Sequence, residues 1–152
     1  MILSMKRLLC LMLFALAMTC NMAIAETRLP TLQLMAGMHR IEAEIAATPS
    51  LRGIGLMYRN SLPDNCGMLF VFPEAHAHCM WMHHTKIPLS AAFIDDQGII
   101  VNIADMQPDT DDYHCGAASV HYVLEMQSGW FQEKGMAPGT CIKGLNKAPV
   151  GR

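Results

Sequence analysis

Residues 68–72 read Met-Leu-Phe-Val-Phe, five consecutive large apolar side chains closed by Pro73. A run this short, with no polar alternate and a proline at its end, fits a strand buried on both faces. A chain that contains it must build a sheet and cover that sheet on two sides. The rest of the sequence supplies partners. Leu32, Leu34, Ile41, Ala43 and Ile45 recur with a period of two, which predicts a pair of strands interrupted near Gly37. Residues 91–94 and 99–106 flank the turn Asp95-Asp96-Gln97-Gly98 as a hairpin would. Residues 120–126 alternate as a strand should, and Pro138-Gly139 fits a type II turn before a last strand at 140–143. Residues 61–67 read as a turn and 107–119 as a surface loop.

Helical signals are short. Thr48-Pro49 is an N-cap followed by proline at the first helical position, predicting a helix to about Met57. Ser128 is placed to cap a stretch from Gly129 to Lys134, ended by Gly135. Eight short strands and two short helices, not alternating as a parallel fold would, predict an α+β domain. It is mainly antiparallel β, a curled sheet or small open barrel with two short helices.

The N-terminus reads differently. Lys6 and Arg7 precede an apolar run from Leu8 to Met18, and Ala23-Ile24-Ala25 places small residues where a leader peptidase cuts. The run is too short to span a membrane, so residues 1–25 are expected to be a signal peptide, with Glu26 the first mature residue. Cys20 offers lipidation as an alternative, opposed by Thr19 where a small residue is needed. Residues 26–152 then form one domain, periplasmic or secreted, with no stable membrane insertion after cleavage. Losing Lys6 and Arg7 leaves nine basic side chains against thirteen acidic, a formal charge of −4 with no basic run, which argues against a nucleic-acid partner. Cys66, Cys79, Cys115 and Cys141 remain, and three full disulfide pairings stay open.

The densest chemistry is His-Ala-His-Cys-Met-Trp-Met-His-His at 76–84. Read as a strand, it sets His76, His78, Met80, Met82 and His84 on one face and Cys79, Trp81 and His83 on the other. Imidazole and thioether donors suit copper and other soft metals. His76 and His84 would stand about 27 Å apart along a strand, so one ion takes at most two neighbours, and His114, Cys115 and His121 are the candidates to complete a site. The competing reading is packing, because methionine fills irregular core gaps. No Gly-rich phosphate loop, HExxH or GxSxG is present, and the Asp-rich residues 109–114 lack the glycine and terminal glutamate of a calcium loop.

The segments "GLMYRNSLPDNCGMLFVFPEAHAHCMWMHHTKIPLSAAFIDDQGIIVNI" and "YVLEMQSGWFQEKGMAPG" resemble the DUF192 (UPF0127) family of small, often exported proteins, over about Leu32 to Gly144. Its markers fall on Gly55, Leu56, Met57 and Arg59, on Gly67, Met68, Leu69 and Phe70, on Trp81 and Met82, and on Pro88 and Leu89. They continue at Phe93 and Asp95, and at Val123, Leu124, Glu125 and Gly129. The resemblance implies a single mainly β domain and supplies no activity. Two departures stand out: Trp81-Met82-His83-His84-Thr85 where members usually have Trp-Met-Lys-Asn-Thr, and Pro88-Leu89-Ser90 where Pro-Leu-Asp is usual. Trp81, inside the densest motif, is expected to pack in the core beside 68–72.

Three functions follow as expectations. The first is a binding or interaction module for an unknown small ligand or envelope protein, with Arg59, Trp81, Asp95 and Glu125 as candidate ligand-binding residues. The second is copper binding through the His/Met segment. The third is an enzyme in which Arg59, Asp95 and Glu125 converge into a polar site.

Overall fold

A computed structural model describes residues 29–152; the expected leader lies outside the described residues. The chain runs β1 (Thr31–Ala36), β2 (His39–Ala46), helix α1 (Pro49–Ile54), β3 (Cys66–His76), β4 (Cys79–Met80), β5 (Leu89–Ile94) and β6 (Ile100–Met106). It continues through β7 (His114–Cys115), β8 (Val120–Gln127), helix α2 (Trp130–Glu133) and β9 (Ile142–Lys143) to a 3-10 turn at Leu145–Lys147. Seven strands form one sheet in the order β6-β5-β8-β3-β2-β1-β9, and β4 pairs with β7 apart from it. The domain is mainly β, a strongly curled half-barrel with two short helices. The described residues hold nine strands, one more than expected, because His114–Cys115 pairs inside the expected surface loop. The sheet is mainly antiparallel, as expected, with one parallel pair. β2 and β3 are parallel and joined by α1, while the other paired strands are antiparallel.

The curl brings the sheet's two edges together. Ile99 bridges Cys141, the Ile100 amide donates to the Thr140 carbonyl at 2.9 Å, and the Ile142 amide donates to Gly98 at 2.8 Å. Backbone groups that an open edge would leave exposed are therefore paired.

Both faces of the central strands are buried, as the run at 68–72 requires. Leu69, Val71, Ala92, Ile94, Leu124 and Met126 point into one core with Ile41, Ala43 and Ile45. Trp130 and Phe131 of α2 close that core, and the Trp130 indole N–H donates to Asn65 Oδ1 at 3.0 Å. Met68, Phe70, Ala91, Phe93 and Val123 point the other way, onto Leu56, Met80, Met82 and Met106. Gly67 pairs with Met126 of β8, and a Cβ there would clash with the Glu125 carbonyl oxygen and lie 2.5 Å from the Met126 sulfur.

The helix boundaries are shorter than the sequence suggests. Thr48 Oγ1 accepts the Leu51 amide at 3.3 Å as expected of an N-cap, but α1 ends at Ile54 because Gly55 turns left-handed at φ +51°. At α2 the cap position belongs to Gly129, at φ +82°, and not to Ser128. The Gly129 amide donates instead to Ser90 Oγ at 2.9 Å.

The largest correction concerns residues 76–84. They do not run as one strand: the His78 amide donates to the His76 carbonyl at 2.8 Å and the Thr85 amide to Met82 at 3.0 Å, closing turns on either side of a two-residue strand. Alternation survives only over 79–82, and there Met80 and Met82 are 7% and 0% exposed. Their inward turn sends Trp81 outward, where it is 41% exposed and not packed in the core. A disulfide between Cys79 and Cys115 locks the β4–β7 pair, while Cys66 and Cys141 are free.

Candidate functional site

On β2, Ile41, Ala43 and Ile45 face the first core, so Glu42 and Glu44 must face the opposite side. Toward this end of the sheet the apolar cover gives way, and a groove of about 590 Å³ opens. It is lined by Glu42, Glu44, Tyr58, Arg59, Ser61 and Cys66, among others, with Leu29, Leu62 and Pro63 as apolar walls. Arg59 grips Glu44 with a fork: Nη1 donates to Oε1 at 2.9 Å and Nη2 to Oε2 at 2.6 Å. Such a bidentate, half-buried pair holds both side chains in fixed positions. Burial first, then the carboxylates of Glu42, Glu44 and Asp64, push the Cys66 thiol above its ordinary range, so it stays protonated and is a poor nucleophile at neutral pH.

Of the four expected ligand-binding residues, only Arg59 lines this groove. Asp95 is committed to its own turn, accepting the Gln97 amide at 2.9 Å and the Ile99 amide at 2.8 Å. Glu125 lies on the same sheet face as Glu44 but across β3, because Glu44 pairs with Met68 and Met68 with Glu125. Two strand spacings put their backbones about 10 Å apart. Glu125 is 3% exposed, forms no ion pair with another described residue, and burial pushes its carboxyl up to about 8. It is therefore a neutral acid for most of the pH range.

Trp81 belongs to a different feature. Five rings follow one another across three loops: Tyr58 stacks on His84 at 5.5 Å, His84 meets His83 at 4.0 Å, His83 stacks on Trp81 at 5.0 Å, and Trp81 stacks on Tyr113 at 6.0 Å. His83 Nδ1 lies 2.7 Å from Asp111 Oδ1. Tyr58 is both the start of this row and part of the groove wall.

The metal candidates do not form a common set. His76 Nε2 is 3.2 Å from Glu74 Oε2, and His78 stacks on Phe72 at 3.6 Å with its Nε2 2.9 Å from the Glu74 carbonyl. Met80 and Met82 are core residues, Cys115 is oxidised in its disulfide and so offers no thiolate, and His84 stacks on Tyr58. His114 lies opposite Met80, and His121 sits beside Tyr122 on β8. Among the described residues no three of His, Cys, Asp or Glu come together as a metal site.

Glu42, Glu44, Tyr58, Tyr113 and Asp111 escaped the sequence reading. Glu42 and Glu44 carried one signal, being the polar alternates of a strand whose other face is apolar. The aromatic row carried none, because its rings come from separate loops.

Among curated proteins none matches the chain. The crystal structures that resemble it include two proteins from bacteria. One, from Sinorhizobium meliloti 1021, is described as a "putative transcription regulator"; it is 33% identical, with 76% of this chain and 92% of that one covered and a TM-score of 0.70. The other is a protein of unknown function from Novosphingobium aromaticivorans DSM 12444, 27% identical, with 78% and 89% covered and a TM-score of 0.75. The family comparison matches residues 32–144 to DUF192, a family described as uncharacterized, and takes in the sheet except Thr31 and the groove lining except Leu29 and Thr31. The chain belongs to the DUF192 family.

Proposed function

We propose that this protein is a small binding module of the bacterial envelope, exported by a leader at 1–25 and folded as the single domain 26–152, that holds a small polar ligand in the groove beside the Arg59–Glu44 pair. The observation that carries the reading is the groove itself. Its volume of about 590 Å³ lies within the usual range of ligand sites, and its polar groups are fixed before any ligand arrives. Glu42 and Glu44 outnumber Arg59, so the groove favours a ligand that presents donors or a positive group and disfavours an anion. Burial keeps the Cys66 thiol protonated, and Glu125 and Asp95 lie outside the groove, so the Arg59–Asp95–Glu125 convergence that an enzyme reading required does not form there.

The scattering of the His and Met donors leaves the copper reading without a specific supporting geometry. The regulator description of the Sinorhizobium meliloti protein is likewise not carried over to this chain, whose formal net charge of −2 gives no electrostatic basis for holding nucleic acid.

The test is native mass spectrometry of protein purified from the envelope without unfolding. A bound small molecule is expected on the wild type and is expected to be lost from Ser61→Phe, which fills the groove from an exposed position. Wild-type protein that carries nothing, or an adduct that Ser61→Phe retains, refutes the groove as the site. The same spectrum reports whether the mature chain starts at Glu26.

A further inference from the structure

We infer that the row Tyr58–His84–His83–Trp81–Tyr113 is a second binding surface, which shares only Tyr58 with the groove and does not rest on the groove reading, and that it takes neutral saccharide chains. The first observation is segregation. Tyr58, Trp81 and Tyr113 are 67%, 41% and 70% exposed, and they are all of the exposed Phe, Trp and Tyr side chains among the described residues. They come from three loops and are joined into one row through His84 and His83.

The second observation is preorganisation. The Tyr58 amide donates to the His84 carbonyl at 2.9 Å, the Met82 amide to Thr110 at 3.1 Å, and the Asp109 amide to Thr85 at 3.0 Å. The Cys79–Cys115 disulfide clamps the two loops that carry Trp81 and Tyr113. Tyr58, His84 and Asp109 hold left-handed backbone at φ +64°, +51° and +53°, three of the four such non-glycine residues described. Side chains of this kind occupy that region at a cost, and the conformation persists where surrounding contacts impose it. Large, rigid aromatics already fixed in place lose little entropy when a ligand arrives.

The chemistry of the row selects the occupant. Centroid spacings of 5.0 and 6.0 Å between nearly parallel planes are those of offset rings, so each leaves part of its face uncovered. A cation-binding cage needs ring faces that converge on one point, whereas His83, Trp81 and Tyr113 lie nearly parallel along a row and only the His83–His84 step is tilted, at 56°. Asp109, Asp111 and Asp112 follow one another in the loop that carries Tyr113, which disfavours anionic ligands. No exposed aliphatic side chain takes part in the row, as a greasy docking face would require. A sugar ring, apolar on its C–H face and hydroxylated at its edge, matches ring faces bordered by the Asp111 carboxylate, the imidazoles and the tyrosine hydroxyls. His83 and His84 stand where the family pattern has Lys and Asn, so the continuity of the row is a property of this chain.

The test uses the full chain with its disulfide intact, titrated calorimetrically and by tryptophan fluorescence with cellohexaose, maltohexaose and N-acetylchitohexaose. Trp130 is buried, so Trp81 is the reporting indole. Saturable binding of at least one oligosaccharide is expected, little changed by salt. Tyr113→Ala is expected to weaken it about tenfold and Trp81→Ala more, with near-ultraviolet circular dichroism of Tyr113→Ala showing that the fold is kept. His83→Lys with His84→Asn is expected to weaken it as well, whereas Ser61→Phe in the groove leaves it unchanged. Failure of all three sugars to bind folded wild type overturns the proposal. So does fluorescence that responds only to an oligolysine peptide and loses that response in high salt, because the row is then a docking face for a basic partner.

Discussion

Glu125→Gln isolates the one carboxyl among the described residues that the fold buries without an ion pair. In the unfolded chain Glu125 titrates near 4.5, and in the fold burial raises it to about 8. Between these values the folded protein holds a proton that the unfolded chain has lost, so stability falls as pH rises, by about 1.4 kcal/mol per pH unit. The fold carries no penalty from this residue below the unfolded value and the full penalty above the folded one. At pH 7 the wild type therefore forgoes about 3 kcal/mol, an appreciable fraction of the roughly 5–15 kcal/mol by which a domain is stable. Gln keeps the shape and stays neutral. Urea unfolding at half-unit steps from pH 5 to pH 8 is expected to give curves that nearly coincide at the acid end and diverge steadily, the variant ending as the more stable protein. Parallel curves refute the argument, since they mean that Glu125 is ionised in the fold and that a cation or water reaches it between Met68 and Ala91.

Four further outcomes follow from particular contacts. Reducing the Cys79–Cys115 bond, which closes a loop of 36 residues, is expected to cost about 4 kcal/mol on the chain-entropy account and to lower the melting temperature in a scan with reductant. Gly67→Ala meets backbone at the Glu125 carbonyl oxygen, which cannot step aside as a side chain can, and is expected to cost about 1–3 kcal/mol in urea unfolding. Trp81→Ala is expected to cost about 1 kcal/mol, far less than the roughly 3–5 kcal/mol of a core aromatic, since its indole is half-exposed. A double-mutant cycle of Arg59→Met and Glu44→Gln is expected to show a coupling of about 1 kcal/mol that shrinks in salt, because the fork is geometrically good but only half-buried.

Where local chemistry decides structure, the sequence was readable. The apolar run at 68–72 had only one use: it lies in β3, which is buried from Gly67 to Val71, although the strand runs on past Pro73 to His76 instead of ending there. Thr48-Pro49 starts α1 because capping involves neighbours three residues apart. The strand pair around Gly37 and the hairpin across residues 95–98 follow from turn geometry in the same way. What escaped depends on residues far apart in the chain. The parallel β2–β3 pairing joins strands separated by the crossover that contains α1, where Arg52 Nη1 donates to the Val71 carbonyl at 2.9 Å, and no periodicity encodes that contact.

Trp81 shows why the candidate site was harder to read than the fold. Size and hydrophobicity place an isolated tryptophan inside, and the surrounding motif reinforces that expectation. Its neighbours decide otherwise: Met80 and Met82 take the inward positions of a strand only two residues long, and a disulfide to a loop 36 residues away holds that strand in place. Once Trp81 faces out, the same residue that would have been one more core contact becomes the middle of a surface, since His83 and Tyr113 supply the rings on either side. The groove obeys the same logic. Glu42 and Glu44 are unremarkable alternates on β2 until the chain returns at Arg59 to pair with one of them and at Cys66 to set β3 beside them. Both proposed sites are thus assembled by the loops that cover the second face of the sheet, and those loops owe their positions to long-range contacts rather than to local sequence.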